Sequence, residues 1–409
     1  MRAFVVATFA LCLFPPFTLS QLSDGPLKTL YEGHQWFALR DAIAQGDAPM
    51  FYHAAVEAAF DEIEPAGRDL GQVIVQSPHS AEAYEAHQLL ATLFFRHGLY
   101  RKALEQLRAM SNEKPEAKDV QNEMAFFTEL GKVDQSTVHL SPSTLQMSHE
   151  DGDLYLPVKI NGKKALYAFD TGANFSAMSE AEASRLGLAV TSVDTSIGDS
   201  SGNHLGVRVA VAKSLTIGGL HLRDVAFGVL PDAQPPFDEL AEQKRGLLGI
   251  PILLAMHTFC WSKDGTFTLG RRSGQFHLRT TNLAFEQSFP VTHAYFQGAG
   301  FDMTVDSGAQ KTVLSPPFAS AFPDALKSIG KPETHKLTGV GGSASYQSVL
   351  LPSLDLEIGG HTVTLTNAHV LTQESSDTSK WADGNLGIDL LNEVMSVTFD
   401  FGAMTLTLN

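Results

Sequence analysis

The chain has 409 residues, 44% of them hydrophobic and 18% charged, too many for one ordinary core and enough for two or three packed domains. Its 45 acidic against 29 basic residues leave a net charge of -16, which repels polyanions. No lysine and arginine cluster interleaved with aromatics offsets that charge, so a nucleic-acid partner is not expected.

At the N-terminus, MRAFVVATFALCLFPPFTLS places one arginine before an apolar run closed by Pro15 and Pro16 and followed by Thr18 and Ser20. That order predicts a signal peptide over 1–20, because the run is shorter than the ~20 residues of a spanning helix. It implies an exported protein, periplasmic or secreted, with no stable membrane span after cleavage. Leu11 is not the small residue that a lipid-attachment site carries before its cysteine. Cys12 leaves with the leader, so Cys260 stands alone and no intramolecular disulfide forms. Its neighbours His257, Thr258, Phe259 and Trp261 predict a buried, inert thiol.

Residues 21–135 read as a helical domain, with apolar residues at three- and four-residue spacing. In AHQLLATLFFRHGLYRKALEQLRAMSNEKP, small Ala91 and Ala103 let two helices approach, Gly98 permits a turn and Pro115 stops the second helix. With Leu90, Phe94, Tyr100 and Leu107 in place, this stretch resembles one tetratricopeptide repeat. Two uses fit such a domain: a concave surface for a peptide or protein partner, or a cap packed on the next domain.

After His139 the texture becomes β. LYLPVKINGKKALYAFD holds two apolar runs joined by Asn161-Gly162, a strong hairpin signal. Glycine pairs Gly218-Gly219 and Gly359-Gly360 read as further hairpin turns, and no long helical pattern intervenes. The β region also repeats itself. DTGANFSAMS at 170 aligns with DSGAQKTVLS at 306, LTIGGLHLRDVAFGVL with LEIGGHTVTLTNAHVL, and LLGI with NLGI, at offsets of 136, 141 and 138. A nearly constant offset means a duplicated lobe, the first over 136–275 and the second over 276–409.

One Asp-Thr/Ser-Gly is an ordinary turn; two copies followed by alanine, each after an apolar strand (LYAFD and FDMTVD), are not. Over about residues 145–409 the chain resembles the retroviral-type branch of the aspartic peptidases found in bacterial proteins. The resemblance implies an all-β bilobal domain built from two retropepsin-like lobes, with Asp170 and Asp306 as its catalytic pair. It also implies site-supporting Thr171, Gly172, Ala173, Ser307, Gly308 and Ala309. Glycine-tipped flaps that bind substrate fall at Gly198 to Gly202 and at Gly339, Gly341 and Gly342. A hydrophobic-hydrophobic-glycine segment passes behind each aspartate loop at Leu247-Leu248-Gly249 and Asn385-Leu386-Gly387.

Such chemistry needs two carboxylates close enough to share one proton, the ionised one activating a water and the protonated one polarising the scissile carbonyl. It needs no cofactor, metal or covalent intermediate. Thr171 and Ser307 would tie the loops together, Gly172 and Gly308 would keep the space around the carboxylates open, and the flaps would close over a peptide or protein substrate. Ala173 and Ala309 stand where pepsin-like enzymes carry a hydroxyl donor, which predicts a less acidic optimum. Asn385 replaces an apolar residue and is expected to disturb the support of Asp306. With the polar first flap tip Asp199-Ser200-Ser201, it motivates the alternative of a catalytically inactive, peptide-binding scaffold of the cell envelope.

Fifteen histidines invite a metal search, but no HExxH occurs, and His361 and His369 look set on different strands. Their pairing is read as accidental. No phosphate-binding glycine-lysine loop or dinucleotide fingerprint is present. Both aspartates lie in one chain, so the expected enzyme is a monomeric, metal-independent aspartic endopeptidase.

Overall fold

The computed structural model describes residues 25–409 except 115–117, 151–152, 192–194, 199–203, 235–236, 279, 340–341, 376–381 and 392. The leader-like segment 1–20, Pro115, the first flap tip with Gly202, and Val340 and Gly341 of the second lie outside the described residues. Among the described residues seven helices come first: α1 (Pro26–Glu32), α2 (Trp36–Ile43), α3 (Met50–Ala59), α4 (Ile63–Gln76), α5 (Ala81–Arg96), α6 (Tyr100–Glu113) and α7 (Lys118–Leu130). Ser80 caps α5 by accepting the Ala83 N–H at 3.1 Å, satisfying an otherwise orphaned donor. The chain then reverses at Gly98, whose φ of 70° suits glycine. Ala91 and Ala103 are fully buried between α5 and α6, the helical hairpin that their small size predicts.

The first lobe holds β1 (Ser136–Leu140), β2 (Ser143–Gln146), β3 (Ser148–Glu150), β4 (Asp153–Ile160), β5 (Lys163–Phe169), β6 (Ala177–Ser179), α8 (Glu180–Leu186), β7 (Thr195–Gly198), β8 (His204–Ile217), β9 (Leu220–Leu230), β10 (Gly246–Leu248), α9 (Ile250–Leu254), β11 (Thr258–Ser262) and β12 (Thr266–Leu269). The second holds β13 (Leu283–Glu286), β14 (Phe289–Phe296), β15 (Ala299–Val305), β16 (Val313–Leu314), α10 (Pro316–Ala321), α11 (Pro323–Ile329), β17 (Lys331–Gly339), β18 (Gly342–Ile358), β19 (His361–Leu371), β20 (Gly384–Leu386), α12 (Ile388–Leu391), β21 (Ser396–Asp400) and β22 (Thr405–Leu408). Short helices of at most seven residues thus interrupt a region whose sequence reads as β throughout; runs that short are set by packing and leave little periodicity.

Turn chemistry fixes the registers. Asn161 and Gly162 both take positive φ, 48° and 81°, between Ile160 and its partner Lys163, as a two-residue hairpin requires. Gly218-Gly219 joins Ile217 to its partner Leu220, and Gly359-Gly360 joins Ile358 to His361. His361 and His369 therefore share β19, a correction to their expected separation: the alternating polar run HTVTLTNAH is one strand.

Each lobe closes on itself. In the first, β4 pairs β5, β5 pairs β10, then β6, β9, β8 and back to β4. The second repeats this circuit with β14, β15, β20, β16, β19 and β18. Closure leaves no free edge within the circuit. The lobes also share a sheet ordered β2-β12-β11-β21-β22, in which Cys260 of one lobe faces Thr398 of the other. Aromatics stack through it, with Phe259 and Phe399 centroids 5.0 Å apart. Cys260 is half-buried, not buried as expected, because Phe259 and Trp261 on either side of it in β11 take the buried positions.

The helices grip both lobes. Phe95 and Phe126 pack on Phe175 of the first lobe at 5.6 Å each. Trp36 donates to Glu286 of the second at 2.7 Å, Arg40 to the Thr281 carbonyl at 2.8 Å and Arg96 to the Gln287 carbonyl at 2.9 Å. The capping arrangement, one of the two uses open from sequence, is what these contacts build. Among the described residues no helix is long and apolar enough to cross a membrane.

Behind this grip, Glu85 is buried and accepts from the Tyr31 hydroxyl at 3.3 Å. Burial pushes its carboxyl from the ordinary 4.5 up to about 7, against the pull of the Tyr31 hydroxyl. Its folded state therefore favours the proton: the contribution to stability is complete below about 4.5 and is lost as pH rises through about 7. Glu85→Gln should stabilise the protein at pH values above that window and leave stability unchanged below it. Urea unfolding on either side of the window reads the difference.

Candidate active site

Asp170 follows β5 and Asp306 follows β15, at corresponding corners of the two circuits. Both side chains are buried, at 0% and 1% exposure. Phe169 anchors the first loop in the shared sheet, edge-on to Trp261 at 5.0 Å. Behind each loop runs the glycine-ended strand. The Asp170 N–H donates to Leu248 O at 3.0 Å, and the Asp306 N–H to Leu386 O at 2.9 Å. Ile250 N–H reaches Ala173 O at 2.9 Å and Ile388 N–H reaches Ala309 O at 2.7 Å. A side chain on Gly249 or Gly387 would collide with the loop backbone, which is why glycine ends both segments.

The two loops interlock. Thr171 Oγ1 donates to Val305 O at 2.8 Å and accepts from Ser307 N–H at 2.9 Å. Reciprocally, Ser307 Oγ donates to Phe169 O at 3.0 Å and accepts from Thr171 N–H at 3.0 Å. All four bonds are buried, so every donor and acceptor finds its partner in the opposite lobe. A methyl group on Gly172 would overlap the Asp306 carboxyl, and one on Gly308 would overlap that of Asp170. The carboxyls thus lie across a gap that only glycine leaves open.

Each aspartate accepts from the backbone of its own loop. Asp170 Oδ1 accepts from Gly172 N–H at 2.9 Å, and Asp306 Oδ1 accepts from Gly308 N–H at 2.9 Å and Ala309 N–H at 3.0 Å. In addition, Asn385 Nδ2 donates to Asp306 Oδ2 at 2.9 Å, while its own Oδ1 accepts from Thr304 Oγ1 at 2.6 Å. The disturbance expected from Asn385 is overturned: its polar end is satisfied on both sides and braces Asp306. Leu247, its counterpart in the first lobe, has no donor to offer. A side-chain donor therefore reaches Asp306 from β20 although Ala309 supplies none.

Two further residues escaped the sequence reading. Ser176 Oγ accepts from Gly249 N–H at 2.9 Å and Thr312 Oγ1 from Gly387 N–H at 3.0 Å. Each stands six residues after its aspartate, a match visible in DTGANFS against DSGAQKT. Of the flap glycines, Gly198 ends β7 opposite His204, and Gly339 pairs Gly342 at the tip of β17 and β18. Helix α7 lies against β7.

Thr171→Val keeps the shape but strands the Ser307 N–H and the Val305 carbonyl, each unsatisfied buried group costing about 1–3 kcal/mol. Chemical denaturation should show a loss of at least about 2 kcal/mol, whereas Thr171→Ser, which keeps the hydroxyl, should lose less than half as much.

Residues 156–252 and 292–390 both match the family described as aspartyl protease. No curated protein matches the chain. A solved structure titled a retropepsin-like aspartic protease from Rickettsia conorii aligns at 21% identity, over 34% of this chain and 94% of its own, with a TM-score of 0.23, a likeness too slight to speak for fold or chemistry. The two matched segments hold β5 with Asp170 and β15 with Asp306 and end just after β10 and β20. The β half of this chain is therefore a tandem pair of aspartyl protease family lobes behind a helical domain.

Proposed function

We propose that the chain is an aspartic endopeptidase in which Asp170 and Asp306 hydrolyse peptide bonds with a water between them. The observation that carries this reading is the interlocked pair of loops, which holds two buried carboxyls across a gap kept open by Gly172 and Gly308. Like charges so placed share one proton. One carboxyl takes the proton from the attacking water and the other holds the one that polarises the scissile carbonyl. The tetrahedral intermediate collapses as that proton system returns a proton to the leaving amine, with no covalent enzyme species. The β7–β8 and β17–β18 hairpins close over the peptide.

Wild type, Asp170→Asn and Asp306→Asn are compared on a denatured protein from about pH 3 to about pH 8. Each variant should lose about 10²–10⁴-fold in rate. Equal cleavage by all three, or none by any, would sink the enzyme reading; peptide binding without cleavage would support the inactive scaffold instead.

Asn385→Leu tests the brace on Asp306. Loss of the donor should lower kcat with KM little changed. An unchanged kcat would mean that Asn385 only fills space.

A further inference from the structure

Glu333 and His335 lie two apart on β17, on one face of it, and His369 lies on β19, with β18 between them. The side chains meet nonetheless. The His335 and His369 rings stack with centroids 3.9 Å apart, and His369 Nδ1 stands 3.3 Å from Glu333 Oε1. One donor atom from each of the three lies within 4.8 Å of the other two. We propose that Glu333, His335 and His369 bind a divalent transition-metal ion of the zinc class, which clips the arm of the second hairpin to the sheet beneath it.

The donor set is the first reason. Two imidazoles and a carboxylate suit zinc and its neighbours, whereas magnesium and calcium take oxygen ligands. Donors held by one zinc ion at about 2.0–2.2 Å stand no more than about 4 Å apart, close to the spacing these three already have. All three residues are partly exposed, which leaves an entry path and a fourth position for water.

Position is the second reason for interest. Register puts His369 beside Val313 of β16, Val313 beside Asn385 of β20 and Asn385 beside Thr304 of β15. Neighbours in such a row point to one face. The cluster therefore stands two strand spacings, roughly 10 Å, from the side chain that donates to Asp306, and on the same face. An ion there joins β17, the moving arm in the proposed mechanism, to the strand row that braces the second aspartate; only this consequence rests on the peptidase reading, and binding itself does not.

The test uses the full chain and zinc chloride, with magnesium chloride as the control. Isothermal titration should give one micromolar zinc site that His335→Gln and His369→Gln each abolish and His361→Gln, exposed on the same strand, leaves intact. In hydrogen exchange, zinc should slow the amides of β17 in wild type and not in His335→Gln, whose fold is checked by its metal-free exchange pattern. A zinc isotherm unchanged by either ligand variant, or β17 exchange indifferent to zinc, would overturn the proposal. A failure of Asp170→Asn and Asp306→Asn to affect cleavage would leave these two readouts untouched, so the site and the enzyme reading fall separately.

Discussion

Everything at the centre of this molecule depends on four buried hydrogen bonds between two loops that belong to different lobes. Thr171 and Ser307 each use hydroxyl and backbone N–H to bind the opposite lobe. Neither lobe can satisfy its own loop, so an isolated lobe would leave polar groups dry or hydrated in the place where a carboxyl must be aimed. The rest of the β architecture serves that junction. Closed circuits stiffen the strands that end at the aspartates, and β11 and β21 join the lobes behind them. The loops are thus held from in front by hydroxyls and from behind by a shared aromatic sheet.

The helical domain adds a third connection between the same two lobes. Phe95 and Phe126 seat on Phe175, five residues after Asp170, while Trp36 and Arg96 hold the β13–β14 corner of the second lobe and Arg40 the residue Thr281 just before β13. Arg96 is itself buried, paired with Asp61 at 2.7 Å and stacked on Phe285 at 4.6 Å. Displacing the second lobe would take the Gln287 carbonyl and the Phe285 ring away from this desolvated charge. Rigid-body motion of one lobe against the other is therefore opposed on two sides, and the hairpins are the elements left to move.

Much of this was written plainly in the sequence, and the reasons are local. Asp170, Asp306 and their following residues stand out because duplication wrote them twice, and Asn161-Gly162 and the glycine pairs mark turns because only such residues take positive φ cheaply. Ser176 and Thr312 were equally visible in the internal alignment, but a hydroxyl acquires meaning only once the glycine N–H facing it is known. Asn385 misled for a related reason. A polar residue in an apolar slot reads as damage until the structure shows Thr304 on one side of it and Asp306 on the other. The grip of the helices and the meeting of His335 with His369 lay beyond periodicity altogether, because each depends on how distant strands curl and close.

The contrast between Leu247 and Asn385 reaches past this one hydrogen bond. When two identical chains build a shared site about a two-fold axis, the axis makes both halves chemically equal, and any difference between them exists only for as long as a proton or a ligand imposes it. Fusing the halves into one chain frees each position to drift apart from its twin. Here the drift has fallen on the residue that touches a carboxyl, so the two sides of the junction are told apart by genetically encoded atoms before anything binds.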